Sequence, residues 1–176
     1  MPTITELLAS HPDDALAIGA PEREWLTYGD LRAQAARTAA DLAAAGVTAG
    51  NRVAIVLANG PDMASAFVTV AQAATTAPLN PAYRQEEFEF YLDDLKAKAI
   101  ILVEGYDGPA LPAARKFGLT VLRLKPEAAA GAFSLAAEGD ATATEPKTPV
   151  EDDIALILHT SGTTSRPKIV PLLQSN

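Results

Sequence analysis

The residues whose types and spacing could do chemistry lie near the end of the sequence, in the run T-S-G-T-T-S-R-P-K at positions 160–168. An apolar run at 154–158 leads directly into these small hydroxyl residues and their single glycine. Backbone N–H groups in a tight turn of small residues can approach an anion closely, hydroxyl groups add donors, and Lys168 supplies a full positive charge. The pattern therefore predicts a loop that holds a polyphosphate at the end of a buried strand.

An ordinary solvated turn is the alternative interpretation, because clusters of Ser, Thr and Gly usually mark loops. Two features favour phosphate binding: the loop follows a buried-type strand, and it carries Arg166 and Lys168 in a chain that is otherwise acidic. The Walker pattern G-x-x-x-x-G-K-[ST] is not present, since Pro167 precedes the lysine and no second glycine stands in the loop. A P-loop nucleotide hydrolase is therefore disfavoured.

Composition restricts the class of protein. With 176 residues, of which 48% are apolar and 20% charged, the sequence is typical of one soluble globular domain. The net charge of −8 argues against nonspecific binding to nucleic acid or anionic membranes, because both need a basic surface. The absence of cysteine excludes disulfides and thiolate metal sites, and the 2 histidines are too few to suggest a metal cluster.

The two ends of the sequence carry predictions about location and extent. No apolar run approaches the roughly 18 residues that would span a membrane, and the N-terminus lacks the basic start and apolar core of a signal peptide. We expect a cytoplasmic location. Residues 174–176 resemble the cap of a helix that does not follow, so we expect the chain to continue beyond Asn176. A peroxisomal signal at a later C-terminus therefore stays open.

Apolar periodicity predicts an alternation of strands and helices. Continuous apolar runs at 52–57 and 99–103 are typical of strands that are buried on both faces. Stripes at helical spacing that begin at Leu31, Met63 and Phe88 predict amphipathic helices. The other predicted elements are strands at 15–18, 24–27, 75–79 and 120–124, and helices at 3–10 and 110–117. This order predicts an α/β fold with a largely parallel sheet flanked by helices on both faces, in which ligands bind beyond the carboxyl ends of the strands.

Three local features carry further predictions. Thr27 and Asp30 have the spacing of a capping box, and Gly46 is placed to end the long helix that follows them. Residues 126–149 are rich in Ala, Thr, Glu and Pro with little periodicity, which predicts a mobile surface connection. His159 closes an apolar strand, so we expect a packed and hydrogen-bonded residue; a place near the ligand pocket is the alternative.

Residues 160–168 resemble the phosphate-binding signature of the adenylate-forming superfamily, which comprises acyl-CoA synthetases, adenylation domains of peptide synthetases and luciferases. Three upstream segments are similar to other motifs of this superfamily, in the same order: L-T-Y-G-D-L at 26–31, G-N-R-V-A-I at 50–55 and A-Q-A-A-T-T-A-P-L-N-P at 71–81. The sequence is thus identified as a member over essentially its whole length. The resemblance implies that residues 1–176 form the first part of the large N-terminal α/β domain.

The resemblance implies two half-reactions. A carboxylate attacks the α-phosphorus of MgATP to give an acyl-adenylate and pyrophosphate, and the thiol of coenzyme A then displaces AMP. The residues that match the signature, and so would hold the β- and γ-phosphates, are Thr160, Ser161, Gly162, Thr163, Thr164 and Lys168. The segments that bind adenine, ribose and coenzyme A, and the catalytic lysine, would lie beyond Asn176. We therefore expect the 176-residue chain alone to catalyse no adenylation.

One branch of the superfamily fits better than the others. Segments 77–83 and 86–92, together with His159, are similar to oxalyl-CoA synthetases, so oxalate is the expected carboxylate. The alternatives are a coumarate-type or fatty-acyl ligase, an amino-acid adenylation domain and a noncatalytic nucleotide-binding module. Ser165 replaces a common glycine, as in the oxalate branch, whereas Ile169 replaces the glycine usual after the lysine. Because a β-branched residue is disfavoured at positive φ, Ile169 indicates either a plain strand start or impaired ATP handling.

Overall fold

The computed structural model describes residues 2–160 and 167–176. Within these residues the helices are α1 (Ile4–Ala9), α2 (Tyr28–Ala44), α3 (Pro61–Ala71), α4 (Gln85–Leu95) and α5 (Ala110–Lys116). The strands are β1 (Leu16–Ile18), β2 (Leu26–Thr27), β3 (Arg52–Val56), β4 (Thr75–Pro78), β5 (Ala99–Val103), β6 (Thr120–Pro126), β7 (Phe133–Ala137), β8 (Ile154–Thr160) and β9 (Lys168–Leu173). No helix in this part of the chain is long and apolar enough to cross a membrane.

Among the described strands, seven form one sheet in the order β7-β6-β5-β3-β4-β8-β9. The five inner strands run parallel to one another, whereas β7 and β9 pair antiparallel with β6 and β8 at the two ends of this order. β1 and β2 form a separate antiparallel pair. The prediction of an α/β fold with a largely parallel sheet is confirmed.

Helices cover both faces of the sheet, which explains why its central strands are apolar without alternation. Val53 and Ile55 of β3 lie in one core cluster with side chains of α2 and α3. Ala54 and Val56, which point the other way, lie in a second cluster with side chains of α4 and α5. The two faces of one strand therefore contribute to two cores, and the strand is fixed by packing from both sides.

The boundaries of α2 follow the predicted capping residues. Thr27 Oγ1 accepts a hydrogen bond from the backbone N–H of Asp30 at 3.2 Å, and Asp30 Oδ2 accepts from the Thr27 hydroxyl at 2.7 Å and its backbone N–H at 3.2 Å. The hydroxyl bond first, and the backbone bond second, lower the pKa of Asp30. Gly46, just past the helix, has a φ of 76°, which glycine adopts without strain.

The predicted mobile surface connection at 126–149 is wrong for its first half. Phe133–Ala137 forms β7, in which Phe133 and Leu135 are only 1% and 8% exposed. These two residues alternate with exposed ones, as expected for a strand with one buried face. The alternation covers too few residues to predict a strand within a segment that is otherwise rich in polar residues. Residues 140–149 contain no helix or strand and are mostly exposed, as predicted, while their mobility stays a prediction.

A side chain of α2 occupies the outer edge of β7. Gln34 Nε2 donates to the backbone carbonyl of Phe133 at 2.8 Å, and Gln34 Oε1 accepts from the backbone N–H of Phe133 at 3.4 Å. Gln34 is 1% exposed, so its amide replaces a neighbouring strand at this position. A buried polar residue on the core face of α2 is thereby satisfied, and the backbone groups of Phe133 are not available for further strand pairing.

Two contacts join β8 to the central sheet. Thr76 of β4 pairs with Leu156 of β8, and the Thr75 hydroxyl donates to the backbone carbonyl of Ile154 at 2.7 Å. Beyond Leu156, β8 continues to Thr160 with β9 as its paired neighbour. The end of β8 therefore extends past its pairing with β4.

The segment after β9 is hydrogen-bonded to residues in the first half of the chain. Gln174 is 3% exposed; its Nε2 donates to the backbone carbonyl of Ala71 at 2.6 Å, and its Oε1 accepts from the N–H of Ile4 at 3.4 Å. The side chain of Asn176 accepts a hydrogen bond from the N–H of Leu173 at 2.7 Å. The segment after β9 thus forms a turn that is held by side chains.

Candidate functional site

The hairpin of β8 and β9 brings two of the predicted site residues together. Thr160, the last residue of β8, lies opposite Lys168, the first residue of β9, and both are exposed. In the preceding pair, His159 lies opposite Ile169. A hydroxyl and an ammonium group are both hydrogen-bond donors to an anion. The register of the hairpin therefore places a donor and a positive charge at the same point.

The four remaining predicted site residues lie in the segment 161–166, outside the described residues. They are Ser161, Gly162, Thr163 and Thr164. Their contact with phosphate stays a prediction from the sequence.

This end of the hairpin lies at the carboxyl edge of the parallel strands, because β8 runs parallel to β4. At the same edge a cavity of about 530 Å³ lies between the segments that follow β3 and β4. Its lining residues are Leu57, Ala58, Asn59, Met63, Pro78, Leu79, Asn80 and Pro81. The segment after β3 leads to α3 on one face, and the segment after β4 leads to α4 on the other. Such divergence opens the crevice in which α/β sheets bind ligands.

His159 is held from two directions by α4. Its Nε2 lies 3.2 Å from Oδ2 of Asp94, and its ring meets Tyr91 edge-on with 4.7 Å between the ring centroids. The side chains of His159 and Asp94 are 6% and 23% exposed. An ionised carboxylate can only accept, so Nε2 carries the proton of this bond when Asp94 is ionised. The expectation of a packed, hydrogen-bonded histidine is confirmed.

Tyr83 extends this contact towards the end of β4. Its ring stacks on Tyr91 at a centroid distance of 4.8 Å and an interplanar angle of 14°. Burial, followed by a hydrogen bond with Tyr91, raises the pKa of Tyr83 to about 12, so its hydroxyl stays protonated at neutral pH. We refer to Tyr83, Tyr91, Asp94 and His159 as the His159 cluster. It connects the segment after β4, helix α4 and the end of β8.

Ile169 lies in β9 and packs against the core cluster on the α4 and α5 face. Among the described residues, the non-glycine residues with positive φ are Glu22 and Lys96. The strand start proposed for Ile169 is confirmed, while its effect on ATP handling stays a prediction. The backbone at this position does not require glycine.

The partners of His159 were missed in the sequence. Tyr91 and Asp94 lie three residues apart on α4, and this spacing indicates only that their side chains share a face of the helix. The bond from Asp94 to His159 joins residues 65 positions apart. Periodicity shows which side chains share a face, but it does not show which strand that face meets.

The comparison with known proteins agrees with this architecture. Residues 5–176 match the family described as AMP-binding enzyme, and the chain therefore belongs to this family of adenylate-forming enzymes. The oxalate–CoA ligase of Arabidopsis thaliana is 37% identical over 178 residues, which cover 98% of this chain and 35% of that protein. The oxalate–CoA ligase of Saccharomyces cerevisiae is 37% identical over 153 residues, which cover 70% of this chain and 27% of that protein.

Solved structures of MatB from Rhodopseudomonas palustris share the fold. The apo form superposes with a TM-score of 0.77 at 27% identity, covering 98% of this chain and 34% of MatB. The ATP-bound form gives a TM-score of 0.75 at 28% identity, covering 98% of this chain and 35% of MatB. This chain spans about a third of the length of the oxalate–CoA ligases that it matches, 35% for the Arabidopsis protein and 27% for the Saccharomyces protein. The resemblance stated from the sequence motifs is confirmed at the level of the superfamily.

Proposed function

We propose that this chain is the part of an ATP-dependent acyl-CoA ligase that binds the β- and γ-phosphates of ATP. The observation that carries the proposal is the register of the hairpin, in which Thr160 lies opposite Lys168 at the carboxyl edge of the sheet. An exposed hydroxyl beside an exposed ammonium group suits a triphosphate. A relative with the same fold has been solved with ATP bound, which supports the choice of nucleotide.

In the whole protein, a carboxylate oxygen would bond to the α-phosphorus of ATP while the bond from that phosphorus to pyrophosphate breaks. The thiol of coenzyme A would then form the thioester as AMP leaves. Lys168 would neutralise charge on the outer phosphates and Thr160 would donate a hydrogen bond, with Ser161, Gly162, Thr163 and Thr164 adding donors as the sequence predicts. Positioning and charge neutralisation are what a protein contributes to such a displacement. Contact with the outer phosphates would leave the α-phosphorus open to attack.

Mg²⁺ and coenzyme A are also part of the proposal. No group of three or more His, Asp or Glu side chains that could hold a metal ion occurs in the described part of the chain. Mg²⁺ that accompanies a nucleotide is usually held by one or two carboxylates together with the phosphates, so it needs no such group. We assign no described residue to either Mg²⁺ or coenzyme A.

We propose oxalate as the carboxylate. Two relatives named oxalate–CoA ligase, each 37% identical to this chain, support it together with the motifs at 77–92. A coumarate-type ligase, a fatty-acyl ligase and an amino-acid adenylation domain share the fold and phosphate-binding signature of the superfamily. The choice among them therefore depends on the substrate assay.

Pyrophosphate–ATP exchange by the full-length protein tests the proposal, with oxalate, 4-coumarate, a long-chain fatty acid and a mixture of amino acids in separate reactions. We expect exchange that depends on oxalate. Exchange with another acid would replace oxalate by that substrate class. ATP binding without exchange on any acid would identify a noncatalytic nucleotide-binding protein. We expect the 176-residue chain alone to show no exchange.

A further inference from the structure

The end of β8 is fixed by side chains where backbone pairing with β4 has ended. β4 pairs with β8 at Leu156, and β8 continues to Thr160. Leu158 is 39% exposed and Thr160 is exposed, so the core packs little against this end. His159 lies between them, yet its side chain is only 6% exposed. Its contacts with α4, together with the packing of Ile169 against the same core, attach the end of β8 to the helical layer.

The attachment has both a polar and an apolar part. Asp94 Oδ2 lies 3.2 Å from His159 Nε2, and hydrogen bonds to an ionised carboxylate are stronger than those between neutral groups. Tyr91 meets the imidazole edge-on, and Tyr83 stacks behind Tyr91. The ring of His159 is thus restrained both at one nitrogen and along its edge.

The hairpin register transmits this restraint to the proposed phosphate contacts. Thr160 is covalently next to His159, and Lys168 is next to Ile169, the cross-strand neighbour of His159. Any rotation or shift of the strand at His159 would move Thr160 directly and Lys168 through the paired backbone. A displacement of about 1 Å in a positioned group is enough to weaken its action substantially.

We propose that Asp94 and His159 are positioning residues, whose hydrogen bond holds Thr160 and Lys168 at the spacing that ATP phosphates require. This inference rests on the proposed function of the hairpin. Neither side chain is assigned contact with the nucleotide. The bond acts through the strand ends, so its loss weakens ATP binding more than it weakens binding of the carboxylate.

Substitutions in the full-length protein separate the hydrogen bond from ring packing. Asp94→Ala removes the acceptor, His159→Phe keeps a ring against Tyr91 without a donor, and His159→Gln keeps a donor without the ring. We expect ATP to bind about tenfold more weakly to Asp94→Ala and His159→Phe, in line with the loss of one charge-assisted hydrogen bond. His159→Gln should restore much of the affinity. The losses in the double variant Asp94→Ala, His159→Phe should be smaller than the sum of the two single losses, because both substitutions remove the same bond.

Three further measurements distinguish positioning from general stabilisation. The KM for ATP should rise while the KM for the carboxylate stays unchanged. Backbone N–H exchange at Thr160 and Lys168, measured without ATP, should be faster in Asp94→Ala than in the wild type. His11→Phe is the control, because the ring of His11 also packs against a tyrosine, Tyr28, at 4.1 Å between centroids, but is exposed and lies outside the hairpin. It should change none of these quantities.

Unchanged ATP affinity and unchanged exchange in both Asp94→Ala and His159→Phe would overturn the inference while leaving the proposed function intact. Equal rises in KM for ATP and carboxylate would also overturn it, since that result indicates general destabilisation. A wild-type protein that binds no ATP would instead overturn the proposed function, and the pair would then be a structural contact only. If Asp94→Ala folds poorly, Asp94→Asn keeps an acceptor but removes its charge, so it should weaken ATP binding less than His159→Phe does, and wild-type affinity in both variants would overturn the inference.

Discussion

Strands β5 and β8 are both apolar and both parallel members of the sheet, yet they are fixed in different ways. β5 lies between β3 and β6, and Ile100, Ile101 and Leu102 have no exposed surface. In β8, Ile157 is 1% exposed but Leu158 is 39% exposed. β5 is positioned by backbone pairing on both sides and by two helical layers. The end of β8 is positioned by its antiparallel partner β9 and by the His159 cluster.

The difference indicates where this fold can tolerate substitution and where it can respond to a ligand. Segments with few buried apolar contacts open at lower free energy than core strands, and ligand-binding segments are drawn from them. The proposed phosphate contacts, Thr160 and Lys168, lie in the thinly packed region. The strongly packed region around β3, β5, β6 and β7 should therefore control stability, and the β8–β9 hairpin should control ATP affinity.

The largest loss of stability is expected from Phe133→Ala. Phe133 is 1% exposed, and truncation of a buried phenylalanine costs about 3–5 kcal/mol. Denaturant unfolding of the purified protein measures this loss. Phe117→Ala removes the same ring from a position that is 39% exposed, so it should cost much less. Equal losses at the two positions would contradict the assignment of β7 to the core.

A pair of leucine truncations tests the comparison of the two strands directly. Leu102→Ala in β5 should lower the free energy of unfolding by about 2–5 kcal/mol, because the side chain is fully buried and leaves a cavity. Leu158→Ala in β8 removes the same atoms from a position 39% exposed and should cost much less. Denaturant unfolding measures both losses, as shifts of the midpoint in variants whose m value equals that of the wild type. A larger loss at Leu158 would remove the distinction between the strands.

Replacement of Ile169 by glycine separates packing from ATP binding within the hairpin. Ile169→Gly should lower the free energy of unfolding by roughly 1–3 kcal/mol, since it deletes a half-buried side chain and loosens a strand. ATP affinity, measured by isothermal titration calorimetry, should not increase, because Ile169 is already in strand conformation and the backbone there gains nothing from glycine. Tighter ATP binding by the glycine variant would indicate that Ile169 impairs the phosphate site.

Lys168→Ala should change stability least of these substitutions, and it should clearly lower ATP affinity. The side chain is exposed, so the free energy of unfolding should change by about 0.5 kcal/mol or less. ATP affinity should fall about tenfold, equivalent to roughly 1.4 kcal/mol, because a charge beside the phosphates is lost. Lys125→Ala, at another exposed lysine near a strand end, is the control and should bind ATP like the wild type. Wild-type affinity in Lys168→Ala would exclude Lys168 from the site.

Local patterns predict elements of the fold well where one pattern dominates. The continuous apolar run at 99–103 coincides with β5 as observed, and the stripe that begins at Leu31 falls on α2. Each segment keeps one kind of packing along most of its length: β5 is buried on both faces, and α2 buries one face. A single periodicity therefore describes each segment. β7 was missed because only Phe133 and Leu135 face the core, which is too few to establish a period.

The candidate site was predictable in its residue types and only partly in its arrangement. The antiparallel return after β8, which sets Thr160 opposite Lys168, was not part of the sequence prediction. The plain strand start proposed for Ile169 indicated a strand but not its direction. The bond of His159 to Asp94 depends on how α4 packs over the sheet, and such packing is a property of tertiary structure.

The link between β4 and β8 has a consequence for the newly made chain. Thr75 and its partner Ile154 are 79 residues apart, so at about 5–20 residues per second β4 would wait roughly 4–16 s for the strand that covers its outer side. During that interval β4 presents unpaired backbone groups, which are a template for pairing with other chains. β4 is only 4 residues long and ends in Pro78, which lacks an N–H. Its brevity thus limits misassembly during translation, before the sheet is complete.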